Sequence, residues 1–110
     1  MSAVSHRMKE NEFFLRLLLN TTSQQQKVLL DTVTDNQLDL LSEVIHNILY
    51  VVPIAQQERK SLLRKQVLVE LAKIKRSYKY RRTRVKVNKK EVMNILVKYA
   101  RELLSTLDEV

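Results

Sequence analysis

The stretch VTDNQLDLLSEVIHNILYVV, residues 33–52, decides the fold class of this chain. Thr34 and Gln37 form a capping box, in which the side chain of each residue satisfies a free backbone N–H of the other. Pro53 ends the segment because the residue before a proline avoids the helical region. The apolar residues between these signals recur at helical spacing: Leu38, Leu41, Ile45, Ile48 and Val52. The pattern predicts one central, largely buried helix.

Helix signals lie on both sides of that stretch. The apolar run over residues 12–19 predicts one short helix, and Ser23 with Gln26 predicts a capped second one. Residues 56–76 read as a single long helix, and residues 87–107 read as a last helix that is capped by Asn88. These segments predict an all-α fold, a compact bundle of four to five amphipathic helices that forms a single helical domain over residues 1–110. We expect residues 1–8 to be a frayed tail.

Composition excludes several classes of protein. The 110 residues contain no cysteine and no glycine, which excludes disulfides, thiolate metal sites and glycine-rich phosphate loops. Only His6 and His46 are available as imidazole ligands, and the carboxylates of Asp35, Asp39 and Glu43 read as a solvated helix face. We therefore expect no catalytic residues, no metal and no cofactor. No secretory signal and no apolar run long enough to span a bilayer is visible, so we expect an intracellular protein without membrane contact.

The net charge of +8 is concentrated in one region. The stretch KIKRSYKYRRTRVKVNKK, residues 73–90, holds ten Lys or Arg and no acidic residue. The alternation in RTRVKV predicts a short extended segment at 83–87 within a basic connector over residues 76–87. An asymmetry of this kind favours a polyanionic partner. The residues predicted to contact nucleic acid are Arg59, Lys60, Arg64, Lys65, Lys73, Lys75, Arg76, Tyr78, Lys79, Tyr80, Arg81, Arg82, Arg84, Lys86, Lys89 and Lys90.

The aromatic and guanidinium groups in this stretch define the expected mode of binding. On an extended backbone Tyr78 and Tyr80 share one face and are available to stack on bases. Arginine side chains suit bidentate contacts to phosphate. We expect that alanine at Arg81, Arg82 and Arg84 weakens the salt dependence of binding and leaves the fold intact.

A series of short motifs recurs in a fixed order along the chain: Leu29-Leu30, Gln37-Leu38, Leu41-Ser42-Glu43, Asn47 and Pro53-Ile54. In these motifs the chain resembles the small basic proteins encoded by Polinton (Maverick) elements and adintovirus-like insertions in animal genomes. The resemblance covers roughly residues 12–90 and includes no catalytic signature. It implies a virus-like element and DNA nearby, and it implies no particular molecular activity.

The sequence thus predicts a non-enzymatic protein that binds the nucleic-acid backbone with little sequence specificity. DNA is favoured over RNA, and the role implied is to organise or package a virus-like genome in the nucleus or the virion. The alternative is a structural or adaptor protein whose basic face binds an acidic protein partner. A homodimer through Leu103 and Leu107 of the last helix is a further prediction.

Overall fold

The computed structural model describes residues 6–108, with side chains described for residues 6–105. This part of the chain contains no strand, so the all-α prediction is confirmed, with more helical segments than the four to five predicted. The elements, in chain order, are α1 (His6–Glu10), α2 (Glu12–Asn20), α3 (Ser23–Asp31), α4 (Asp35–Tyr50), α5 (Gln56–Leu63), α6 (Gln66–Leu71), α7 (Tyr78–Val87), α8 (Lys89–Ile95), a π-helical turn (Leu96–Ala100) and α9 (Arg101–Asp108).

Helix α4 lies at the centre of the core, as its pattern predicts. It contacts α1, α5, α6, α7 and the π-helical turn. The five predicted stripe residues are all buried, together with Leu40, Val44 and Leu49, although Val52 lies two residues beyond the end of the helix. The predicted capping box is confirmed: Gln37 N donates to Thr34 Oγ1 at 3.1 Å, and Thr34 N donates to Gln37 Oε1 at 3.0 Å. Burial on several sides makes α4 the helix against which the others are positioned.

The start of α3 differs from its prediction by one residue. Thr22, and not Ser23, is the N-cap, and its hydroxyl accepts a hydrogen bond from Gln25 N at 3.2 Å. Gln26 takes another role, because its Nε2 donates to the main-chain carbonyl of Leu18 at 3.0 Å. The amide that was expected to close a capping box instead ties α3 to α2.

The predicted single helix over residues 56–76 is wrong, because the chain breaks twice. Helix α5 ends at Leu63, and Lys65 has extended dihedral angles, with φ −85° and ψ 97°. The break leaves Leu63 38% exposed and turns Leu68 and Leu71 into the core. After α6 the chain makes an irregular turn over residues 72–77 before α7 begins.

The predicted extended segment at 83–87 is also wrong, since these residues belong to α7. Ser77 caps this helix by accepting a hydrogen bond from Tyr80 N at 3.1 Å. Arg81 and Val85, four residues apart, are both buried, so the periodicity that decides the structure is helical and not alternating. Asn88 occupies the N-cap position of α8 as predicted, but its side chain makes no capping hydrogen bond to α8. Its Nδ2 donates to the main-chain carbonyl of Arg84 at 2.8 Å.

The expected tail over residues 1–8 is helical from His6 onward, and residues 1–5 lie outside the described part of the chain. Met8 is buried in the core. Arg7 Nη1 lies 2.8 Å from Glu43 Oε2, and this ion pair fastens α1 to α4. The packing of Met8 and this ion pair hold α1 against the core.

The C-terminal helix packs its leucines inward. Leu103 is 2% exposed and Leu104 is 5% exposed, so both belong to the core of a single chain. The side chain of Leu107 lies outside the described residues. The homodimer stays a prediction, and Leu103 has no surface to contribute to it. Among the helices of the described residues, the longest is α4 with 16 residues, and none is long and apolar enough to cross a bilayer.

Candidate nucleic-acid interface

Arg81 is a buried residue that holds α7 against α4. Its side chain is 2% exposed. Nη2 donates to Asp39 Oδ1 at 2.8 Å, Nη1 donates to Ser42 Oγ at 2.7 Å, and Nε donates to the main-chain carbonyl of Arg76 at 2.9 Å. The guanidinium carbon also lies 5.0 Å from the centroid of the Tyr78 ring. The prediction that Arg81 contacts nucleic acid is wrong, because these partners leave it no accessible surface.

Tyr78 and Arg82 lie on the same side of α7 and also face α4. The Tyr78 hydroxyl donates to Asp39 Oδ2 at 2.8 Å, and this hydrogen bond, with the charge of the carboxylate, raises the pKa of Tyr78. Arg82 Nη2 donates to Asp35 Oδ1 at 2.5 Å. Asp35 and Asp39 are therefore partners of the basic segment. The interpretation of a solvated face is wrong for Asp39, which is 16% exposed, and it holds for Asp35, which is 58% exposed. We call Tyr78, Arg81 and Arg82 the inner face of α7.

Glu70 holds two cations of the turn that precedes α7. Lys73 Nζ lies 3.2 Å from Glu70 Oε1, and Arg76 Nη2 lies 2.9 Å from Oε2. The hydrogen bond from Lys73 is the main cause that lowers the pKa of Glu70; burial opposes it, and Arg76 adds to the lowering. Two positive charges share one carboxylate, so one positive charge remains without compensation.

Three more of the predicted cations have partners within the chain. Lys65 Nζ lies 2.7 Å from Glu91 Oε1, and this ion pair ties the α5–α6 break to α8. Lys89 Nζ lies 2.7 Å from Asp31 Oδ1, which links α8 to α3. Arg59 donates through Nη2 to the main-chain carbonyl of Val52, which lies between α4 and α5. These side chains support packing between helices.

The remaining predicted cations are exposed and have no acidic partner in the described part of the chain. Lys79, Arg84 and Lys86 are the exposed cations of α7 that do not belong to its inner face, and we call them the outer face of α7. Lys79 and Lys86 lie on one flank of the helix, and Arg84 lies on the opposite flank. Lys79 and Lys86 are seven residues apart, which is two helical turns or about 10 Å along the axis. The complete set is Lys60, Arg64, Lys75, Lys79, Arg84, Lys86 and Lys90.

Tyr80 does not share a face with Tyr78, contrary to prediction. Side chains two positions apart on an α-helix point in nearly opposite directions. The guanidinium carbons of Arg76 and Arg84 lie 5.3 and 5.1 Å from the centroid of its ring. The Tyr80 ring is half-buried and lines a cleft between α6 and α7 with these two arginines. It therefore orients Arg84 at the edge of the outer face.

An open groove of about 700 Å³ lies where the C-terminal end of α4 meets the turn over residues 72–77. The sequence contains no signal for it, because α4 and this turn are distant in the chain. His46 and Tyr50 stand one helical turn apart, with ring centroids 5.0 Å apart. The side chains that line the groove are His46, Tyr50, Val69, Ala72, Lys73, Ile74, Lys75 and Arg76.

No group of three or more His, Cys, Asp or Glu side chains that is suited to a metal ion occurs among the described residues. His6 Nε2 lies 2.8 Å from Glu10 Oε1, and the ring of His46 contacts that of Tyr50 in a tilted arrangement. That the protein is not an enzyme stays a prediction.

Comparison of the chain with protein-family models, with curated proteins and with solved structures gives no match. The resemblance to Polinton-encoded proteins therefore stays a prediction, and the case for a function depends on the geometry of the basic region.

Proposed function

We propose that this protein binds the phosphate backbone of nucleic acid, DNA in the first place, through the outer face of α7 and the exposed cations beside it. The observation that carries the proposal is the division of charge on α7. Five basic residues and no acidic residue occupy this ten-residue helix. Arg81 and Arg82 are neutralised by Asp39 and Asp35, while the outer face has no counter-charge among the described residues.

The inner face supports this function indirectly. Arg81 and Tyr78 fix the axis of α7 on α4, so the outer side chains project from a rigid helix and not from a mobile connector. A helix that is already ordered loses less conformational entropy on binding. Phosphates that contact these cations release condensed counterions, which favours binding and makes it depend steeply on salt. No set of side chains is arranged to read base edges, which supports backbone contact with little sequence specificity.

The test is a fluorescence-anisotropy titration against labelled duplex DNA and duplex RNA of the same sequence at several salt concentrations. The wild-type protein should bind DNA with a log K against log salt slope of several negative units. The variant Lys79→Ala/Arg84→Ala/Lys86→Ala should lose about two to three units of that slope, since each phosphate contact contributes about 0.9.

A matched control separates local contact from net charge. The variant Lys9→Ala/Lys98→Ala/Arg101→Ala also removes two lysines and one arginine, but from α1, the π-helical turn and α9. Its slope should stay within about one unit of the wild-type slope. Equal losses in both variants would contradict the assignment to α7. If neither nucleic acid binds at low salt, the proposal fails, and the acidic protein partner becomes the explanation of the outer face.

We extend the proposal to the biological role only as far as the resemblance implies. A backbone-binding protein of a virus-like element would organise or package its genome, and it would be found in the nucleus or the virion. Tighter binding to duplex DNA than to duplex RNA in the titration above is the result expected for that role.

A further inference from the structure

The groove at the C-terminal end of α4 combines an aromatic wall with exposed apolar surface. Tyr50 is 48% exposed and Ile74 is 42% exposed, although both are large apolar residues. The ring of His46 stands beside that of Tyr50 at an interplanar angle of 49°. Exposed aromatic rings at a concave surface are the feature on which single-stranded nucleic acids stack their bases.

The rim of the groove is cationic. Among the side chains that the structure describes, no acidic one lines it. Lys73 and Arg76 share Glu70, and Lys75 has no acidic partner among the described residues, so two positive charges remain at the rim. This charge fits an anion that carries an apolar or aromatic group between its charges, as a nucleotide strand does.

The wall that carries these cations is held in place by hydrogen bonds within the chain. Arg76 N donates to the main-chain carbonyl of Lys73 at 3.0 Å, which closes the turn. Arg81 Nε donates to the main-chain carbonyl of Arg76 at 2.9 Å, which ties the turn to α7. Arg76 also lies over Tyr80, next to Arg84, so the rim is continuous with the outer face. One strand can therefore contact both surfaces.

We propose that this groove receives an unpaired base of single-stranded nucleic acid, which stacks on Tyr50 while the adjacent phosphates contact Lys75 and the Lys73–Arg76 pair. The inference rests on the proposed function and adds a preference to it. In a duplex the bases are paired and stacked inside the helix, so they cannot enter the groove. Duplex binding then depends on the outer face of α7 and the exposed cations beside it, and single-strand binding depends on the groove as well.

The test compares three labelled probes by fluorescence anisotropy: a 12-nucleotide thymidine strand, the same strand without bases, and a 12-base-pair DNA duplex. The wild-type protein should bind the thymidine strand more tightly than the abasic strand. Tyr50→Leu should weaken thymidine binding about tenfold, because it removes the stacking ring and keeps apolar volume. It should leave the abasic and duplex affinities within about twofold of the wild-type values. Tyr50→Phe should behave like the wild type.

Phe13→Leu is the matched control, because Phe13 is an exposed aromatic residue on α2, outside the groove. It should change none of the three affinities. Equal binding of the thymidine and abasic strands by the wild type would overturn the inference, and so would an equal loss for all probes in Tyr50→Leu. Either result leaves the proposed function standing if the duplex still binds. If no probe binds at low salt, the proposed function fails and the inference fails with it.

Discussion

The two faces of α7 carry the same kind of charge and have opposite surroundings. On the inner face, Arg81 is 2% exposed and contacts Asp39 and Ser42. On the outer face, Lys79 and Lys86 are exposed and have no acidic partner in the described part of the chain. The comparison shows that a basic run can serve two purposes in one helix: one side fastens the helix to the protein, and the other stays available for a partner.

The difference between the two faces should have its largest effect on the free energy of unfolding. Arg81→Ala leaves Asp39 and Ser42 without their buried partner and releases the carbonyl of Arg76. Breaking a buried ion pair by removing one member costs about 3 kcal/mol or more. Urea unfolding should show a loss of that size for Arg81→Ala.

Lys79→Ala, on the outer face of the same helix, is the matched control and should change the free energy of unfolding by less than about 0.5 kcal/mol. If Arg81→Ala also changes the free energy of unfolding by less than about 0.5 kcal/mol, the division into two faces is contradicted. The expectation that alanine at Arg81, Arg82 and Arg84 spares the fold is revised accordingly.

Acidification should loosen the turn that connects α6 to α7. The pKa of Glu70 is lowered in the folded protein, so its ion pairs with Lys73 and Arg76 contribute stability above the unfolded-state pKa. That contribution is lost as the pH falls through the folded-state pKa. Glu70→Gln should therefore be less stable than the wild type at pH 6, and this difference in the free energy of unfolding should shrink as the pH falls below the unfolded-state pKa. A series of urea unfolding measurements from pH 6 downward checks this, and a difference that does not shrink with falling pH would contradict it.

The smallest expected effect comes from releasing Arg82 from its ion pair, so that its charge becomes available to DNA. Asp35→Asn removes the partner of Arg82 at the surface, where the Asp35 side chain is 58% exposed. The loss of an exposed ion pair and of a favourable charge in the first turn of α4 should cost about 1 kcal/mol at most. Binding to duplex DNA should tighten, with a salt slope steeper by up to about one unit.

Glu12→Gln makes the same change of charge on α2, where Glu12 pairs with Arg16. It should leave the salt slope unchanged. If both variants steepen the slope equally, net charge and not the position of Arg82 controls binding.

Local sequence signals predict part of this structure well. The stripe of α4 and the Thr34–Gln37 box are encoded within one segment, and both are confirmed. The helical state of residues 78–87 depends on contacts with α3, α4 and α6, which no local alternation of charged and β-branched residues reveals. The sequence therefore predicts helices reliably where a cap and a stripe coincide, and it fails where tertiary packing selects the conformation.

The candidate interface shows the same limit. Charge density identifies the region correctly as basic, but the partners of Arg81 and Arg82 lie about forty residues earlier, on α4 and at its start. One signal was present in the sequence: Asp35, Asp39 and Glu43 recur at four-residue spacing and so form an acidic stripe on one helix. Asp35 and Asp39 receive α7, and Glu43 receives Arg7 of α1. The groove beside Tyr50 has no such signal, because it exists only when α4 meets the turn.

The most direct test of the two-faced helix is an NMR titration of the arginine Nε–Hε signals with a short DNA duplex. The signals of Arg84 and Arg81 report on the outer and inner faces of one helix in a single experiment. We expect the Arg84 signal to shift progressively with added DNA at low salt and to return as salt is raised, while the Arg81 signal stays in place. A shift of Arg81 equal to that of Arg84, or no shift of Arg84 under conditions where the duplex binds, would contradict the account.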